Sequence, residues 1–256
     1  MRLHFIERGR GRPLVFVHGG GAAGEPWWGP QIDAFSNFRQ VILDRAGYGR
    51  SKGKPNGNYL TDAYDFWQTL DVIRLDRVHI VGHSGGGCVG ALAASLRPGS
   101  VRSLTVIEPP FLGLASGKSL EYRKKLEELV NATNLFQVPE RAVESFLDIL
   151  VGSERIAELK SGPNWQATVN LGTNMFVEAR HILDSDLRPP AFSAPALVVA
   201  GTISPLYDVA QKLAGYWNAE FVSVEGAGHL LNRTHPEIFS KHLHSFLRQQ
   251  QPVELE

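Results

Sequence analysis

The sequence predicts an α/β fold, a mostly parallel central sheet flanked by helices with a helical segment inserted before the last two strands. Three observations predict it. Short apolar runs recur at residues 14–17, 40–43, 78–81, 104–107, 196–200 and 221–224. They are continuous rather than alternating, which marks strands buried on both faces, and helix-like or loop segments separate them. Between residues 111 and 190 no such run appears, and the pattern becomes amphipathic and helical.

The elements follow in order. The first run leads into His18-Gly19-Gly20-Gly21. A glycine-rich loop after a buried strand exposes backbone N–H groups, so Gly20 is the expected donor to an oxyanion, with Gly21 the neighbouring option. His18 is expected to brace this loop through its ring rather than act as base or ligand. The second run leads into Asp44-Arg45-Ala46-Gly47-Tyr48-Gly49-Arg50-Ser51, and residues 61–73 read as a crossover helix.

The third run continues into Gly82-His83-Ser84-Gly85-Gly86, then into a small-residue helix. A serine on a sharp strand-to-helix turn needs glycines around it, because its strained backbone brings the two elements close. That geometry pushes Oγ out of the sheet and leaves the Gly85 amide at a helix N-terminus. The spacing predicts a nucleophile elbow with Ser84 as nucleophile and Gly85 as the other oxyanion donor. Cys88, one turn further on, is expected to be a packing residue.

The fourth run ends at Glu108-Pro109-Pro110. Residues 119–131 and 139–150 form amphipathic helices, and the segment closes at Arg188-Pro189-Pro190. Residues 111–190 are therefore expected to form a helical cap, with 1–110 and 191–256 as the core. A cap over the C-terminal edge of the sheet sits where open α/β sheets place their ligands. The last run leads into Val224-Glu225-Gly226-Ala227-Gly228-His229, which places a histidine just past a strand end as the expected base. Residues 236–247 carry Ile238, Phe239, Leu243, Phe246 and Leu247 at helical spacing, and the tail from Gln249 is expected to fray.

Bulk properties narrow the function. The 256 residues suit one large domain, and 26 basic against 26 acidic residues give no net charge to recruit a polyanion. Nucleic acid is not an expected partner, and no apolar stretch is long enough for a signal peptide or a membrane span. The single cysteine excludes an intrachain disulfide and makes a reducing cytoplasm the default. No metal or other cofactor is expected, since His242 and His244 face different sides of a helix without supporting ligands. A monomer or a homodimer is equally compatible with the sequence.

Four motifs together resemble the α/β-hydrolase superfamily, specifically its cap-bearing members. They are His18-Gly19-Gly20, the Asp44 to Ser51 turn, Gly82-His83-Ser84-Gly85-Gly86, and Gly226-Ala227-Gly228-His229, in the expected order. The resemblance implies that Asp44 and Arg45 brace a structural turn. It also exposes a departure. Most members carry aspartate in a Gly-x-x-Asp-Pro segment after the penultimate strand, and here the segment is Gly201-Thr202-Ile203-Ser204-Pro205. Serine can orient an imidazole but cannot balance its positive charge. Glu108, directly after the strand beside the elbow strand, is the expected acid. Asp208, four residues past Ser204, is the alternative, and a chain without any acid is the third option. An acid in the place of Glu108 resembles some haloalkane dehalogenases and the zearalenone-type lactonases. Serine rather than carboxylate at position 84 points to acyl chemistry.

The expected activity is a cofactor-independent serine hydrolase of a hydrophobic carboxylic ester or lactone. Trp27, Trp28, Tyr48, Phe111, Trp165 and Phe176 are expected to line an apolar pocket under the cap. The same triad also serves C–C bond hydrolysis and perhydrolysis. Ser204 further motivates a ligand-binding receptor or pseudoenzyme with a crippled triad.

Overall fold

A computed structural model describes residues 1–184 and 187–250 of the chain. The first half runs β1 (Phe5–Arg8), β2 (Pro13–Val17), α1 (Gly24–Ile32), β3 (Arg39–Leu43), α2 (Tyr59–Val72), β4 (Val78–His83), α3 (Gly85–Leu96) and β5 (Val101–Ile107). Five helices follow without an intervening strand among the described residues: α4 (Lys118–Ala132), α5 (Glu140–Val151), α6 (Ser153–Ser161), α7 (Trp165–Asn170) and α8 (Gly172–Asp184). The chain then returns to the sheet with β6 (Ala196–Gly201), α9 (Tyr207–Trp217) and β7 (Glu220–Val224). It ends with α10 (Leu231–Thr234) and α11 (Pro236–Gln249). Helix α11 takes in Gln249, and the rest of the tail expected to fray lies beyond the described residues, apart from Gln250.

The strands form one sheet in the order β1-β3-β2-β4-β5-β6-β7, and every pairing except β1 with β3 is parallel. The α/β class read from the six apolar runs is therefore the observed one. The extra strand, β1, has no apolar run to announce it. Its Phe5-Ile6-Glu7-Arg8 is at most half buried and ends in two charged, exposed residues, as an edge strand allows.

Side chains alternate between the two faces, each covered by helices. Val15 and Val17 point with Val41 and Leu43 toward α2 and α3, where Phe66, Trp67, Leu70 and Val89 are buried. Leu14, Phe16 and Ile42 point the other way, onto Trp28, Phe35, Phe239, Leu243 and Phe246. No described helix is long and apolar enough to cross a membrane. Parallel pairing of β2, β4, β5 and β6 brings their C-terminal ends side by side. The loops bearing Gly20, Ser84, Glu108 and Ser204 consequently meet at one edge, where α4, α5 and α8 lie above them.

Candidate active site

Ser84 sits between β4 and α3 with φ 51° and ψ −124°, a conformation that L-residues rarely adopt. Its amide donates to the Ile107 carbonyl at 2.8 Å, tying the turn to β5. Two flanking glycines make the turn possible. A Cβ on Gly82 would stand 2.4 Å from the Gly86 carbonyl oxygen, and one on Gly86 would stand 2.3 Å from that of Val17. Glycine is the only residue that fits either position.

His229 follows β7 and is buried, with its Nδ1 2.7 Å from Glu108 Oε2. A carboxylate only accepts, so Nδ1 is the donor in this contact. Glu108 is wholly buried directly after β5, with φ 46°. Its other contacts are also donors: the Gly201 amide to Oε1 at 2.7 Å and the Ser204 hydroxyl to Oε2 at 2.5 Å. Ser204, the residue standing where the superfamily pattern has aspartate, thus hydrogen-bonds the carboxylate that faces the histidine. Asp208, the alternative acid, is engaged elsewhere. It lies in the first turn of α9, and its Oδ2 accepts from the Lys118 amide at 2.9 Å, at the start of α4. A carboxylate is favoured there by the helix dipole.

The neighbouring imidazoles are uncharged braces. His18 Nδ1 donates to the Gly19 carbonyl at 2.6 Å, and Nε2 accepts from the Arg45 amide at 3.0 Å. Burial, helped by the Arg45 charge, lowers its pKa to about 4. His83 carries no sequence signal beyond its place inside the elbow motif. Its Nε2 donates to the His229 carbonyl at 2.9 Å, and its ring lies 4.6 Å from that of His229. Burial first, then the His229 charge, holds His83 well below the usual histidine range. Asp44 accepts from the amides of Gly24 and Arg50, the bracing role that the resemblance implied.

Ser84, His229, His83, Gly20 and Gly21 line a cavity of about 110 Å³ whose upper wall is apolar. That volume approaches the ~150 Å³ of an engineered cavity that holds benzene. Of the aromatic side chains expected in this wall, Trp27 lies there, with its ring 4.8 Å from His83. The others are placed differently. Trp28 is one residue, and so about 100°, further round α1, and it is buried against Phe16 on the far side of the sheet. Phe111 packs edge-on to Trp217, and Tyr48 packs on His18. Phe176 turns toward Phe146, while its neighbour Met175 reaches the cavity. Trp165 is half-buried on α7 and donates to Glu140 Oε1 at 2.5 Å, outside the cavity.

The wall comes instead from Tyr122, Phe146, Leu147, Leu150, Leu159, Met175, Ala179 and Ile182. Helical periodicity held that signal: Phe146 and Leu150 are one turn apart, as are Met175 and Ala179. Among the described residues no group of three His, Cys, Asp or Glu is placed to hold a metal ion. The site presents a hydroxyl, an imidazole hydrogen-bonded to a buried carboxylate, and the amides of a helix N-terminus, groups chemically suited to acyl transfer.

A family model for the alpha/beta hydrolase fold matches residues 12–236. The chain belongs to the α/β-hydrolase fold family. Among its relatives, an Azorhizobium caulinodans protein named "Putative carbamate hydrolase RutD" is 30% identical, over 95% of this chain and 94% of the relative. The (E)-2-((N-methylformamido)methylene)succinate hydrolase of Acinetobacter baylyi is 25% identical, over 95% of this chain and 93% of its own length. The crystal structure of a bromoperoxidase from Bacillus anthracis superposes with a TM-score of 0.77 at 19% identity, covering 96% of this chain and 95% of that one. The chain is a hydrolase of this family.

Proposed function

We propose that the protein is a serine hydrolase that cleaves a carboxylic ester or lactone of a compact hydrophobic substrate through an acyl-enzyme. His229 removes the Ser84 proton as Oγ attacks the carbonyl carbon, and Glu108 holds the imidazole ring and balances its charge. The amides of Gly20 and Gly85 stabilise the tetrahedral oxyanion. His229 then protonates the leaving alkoxide and activates water for deacylation. Helices α4–α8 act as a cap that keeps the acyl group in an apolar cavity.

The observation that supports this most is the buried 2.7 Å contact between His229 and Glu108 beneath the Ser84 turn. It answers the objection that Ser204 leaves the triad without an acid, and so weakens the receptor reading. The test is a panel of short esters and lactones, together with labelling of Ser84 by a fluorophosphonate. Turnover with a burst of released alcohol and mass gain on the Ser84 peptide are expected; an unlabelled Ser84 and no turnover would leave a binding protein. The names of the two relatives favour a second reading, cleavage at a carbamate or N-acyl carbon. A matched aryl carbamate belongs in the panel. If it is turned over faster than the ester and the lactone, the ester reading is replaced.

A further inference from the structure

Glu178, on α8, is the one acidic side chain among the described residues of the cavity wall, and no lysine or arginine lines that wall. It is 6% exposed, and four donors surround it. Tyr48 donates to Oε1 at 2.5 Å and Tyr59 to Oε2 at 3.2 Å. The Arg45 guanidinium approaches both oxygens, Nη2 to Oε1 at 3.0 Å and Nη1 to Oε2 at 3.2 Å. Such a set is the complement of a carboxylate, and it fills the roughly four acceptor sites a carboxylate has.

The fork does not neutralise the cluster. Arg45 is also held by Asp62 Oδ2 at 2.7 Å, so one buried cation stands between two carboxylates. His181, whose ring packs on Tyr59, adds no charge at neutral pH, since burial lowers its pKa. The residual negative charge lies next to the reacting centre: a Cβ on Gly85, the residue after the nucleophile, would be 2.9 Å from Glu178 Oε2.

We propose that Glu178 is a charge filter: it makes the cavity accept uncharged acyl groups and reject those carrying a carboxylate. The donors that would bind a substrate carboxylate are already occupied by the protein's own, and the surplus charge repels a second one across a few ångströms of low-dielectric space. Two like charges about 6 Å apart at an effective dielectric constant of 20 correspond to about 100-fold in binding. This inference rests on the ester-hydrolase reading for its kinetic form, while the filter itself is a property of binding.

The test compares kcat/KM for p-nitrophenyl butyrate with that for the mono-p-nitrophenyl ester of succinic acid, corrected for spontaneous cleavage. Binding of benzamide and of benzoate is measured in parallel by ligand-observed NMR. The neutral ester is expected to be favoured by about 100-fold, and benzamide is expected to bind where benzoate does not. Glu178→Gln leaves Arg45 and Asp62 as a one-to-one pair and should narrow both preferences by about tenfold or more. Thr168→Lys, which adds a cation to the wall from α7 and keeps Glu178, should narrow them as well; thermal melts establish that each variant is folded. A wild-type preference below threefold, or a folded Glu178→Gln protein with an unchanged preference, overturns the filter. If neither ester is turned over while benzamide still excels benzoate, the ester reading fails and the filter stands.

Discussion

Replacing Glu108 with glutamine removes one charge and almost no volume from a position that is wholly buried. Oε1 takes the Gly201 amide, and Oε2 takes the Ser204 hydroxyl and His229 Nδ1. A glutamine amide offers an acceptor on one side only. Turned one way, its NH2 faces the Gly201 amide and leaves that donor unpaired; turned the other way, it faces His229, and the tautomer that keeps Nε2 as base loses its partner. The attraction of a carboxylate for an imidazolium about 4 Å away is about 4 kcal/mol at an effective dielectric constant of 20, or about 10³ in rate. In the second orientation the wrong tautomer takes the loss toward ~10⁴, the size seen when an amide replaces the acid of a serine triad. Steady-state kinetics on p-nitrophenyl butyrate should show this fall in kcat with KM within about threefold, and fluorophosphonate labelling of Ser84 should slow in parallel. Asp208→Asn, in the first turn of α9, should leave kcat within about twofold. A Glu108→Gln enzyme that keeps kcat within tenfold of wild type would refute the reasoning, as would Asp208→Asn being the more damaging change.

Three further outcomes follow from the same geometry. Ser204→Ala removes one of three donors to Glu108 and should lower kcat about three- to tenfold with KM unchanged, while aspartate at 204 in the Glu108→Gln background should recover at least tenfold of the lost kcat; steady-state kinetics reads both. Gly86→Ala drives a Cβ to 2.3 Å from the Val17 carbonyl oxygen, a backbone clash with no flexible partner to yield, so it should lower Tm by ten degrees or more or prevent folding. His18 and His79 are buried with pKa values lowered to about 4, while the unfolded chain titrates near the usual 6.5. Their contribution is therefore fully present above pH 6.5 and is lost as pH falls toward 4, by roughly 3 kcal/mol each. Urea midpoints at pH 7.5 and pH 5 test this, and an unchanged midpoint contradicts it.

The sheet was legible because its five inner strands are buried on both faces and so read as unbroken apolar runs, while β7, at the far edge, still carries a short one. β1 was not, since an edge strand with Glu7 and Arg8 on its rim has no such run. The elbow and the histidine loop were legible through glycines that the backbone requires, and Glu108 through its place at a strand end. What failed was the identity of the pocket wall. Residue type alone points to aromatic side chains, whereas access to the cavity depends on which way each side chain turns on its helix, as Trp27 and Trp28 show. The Arg45–Glu178 pair spans 133 residues of sequence and joins two elements with no shared periodicity, so no local pattern announces it.

The place proposed for the acid, just before the helical segment, also fixes how this fold can be recombined. Glu108 is the last core residue before Pro109-Pro110 and the helical segment, whereas His229 lies on the far side of that segment. A chimera spliced upstream of Glu108 would inherit its acid from the donor of the helices and its base from the recipient, two halves never selected to meet. A splice after Pro110 keeps both from one parent, together with the Ser204 hydroxyl, provided the seam on the return side precedes β6.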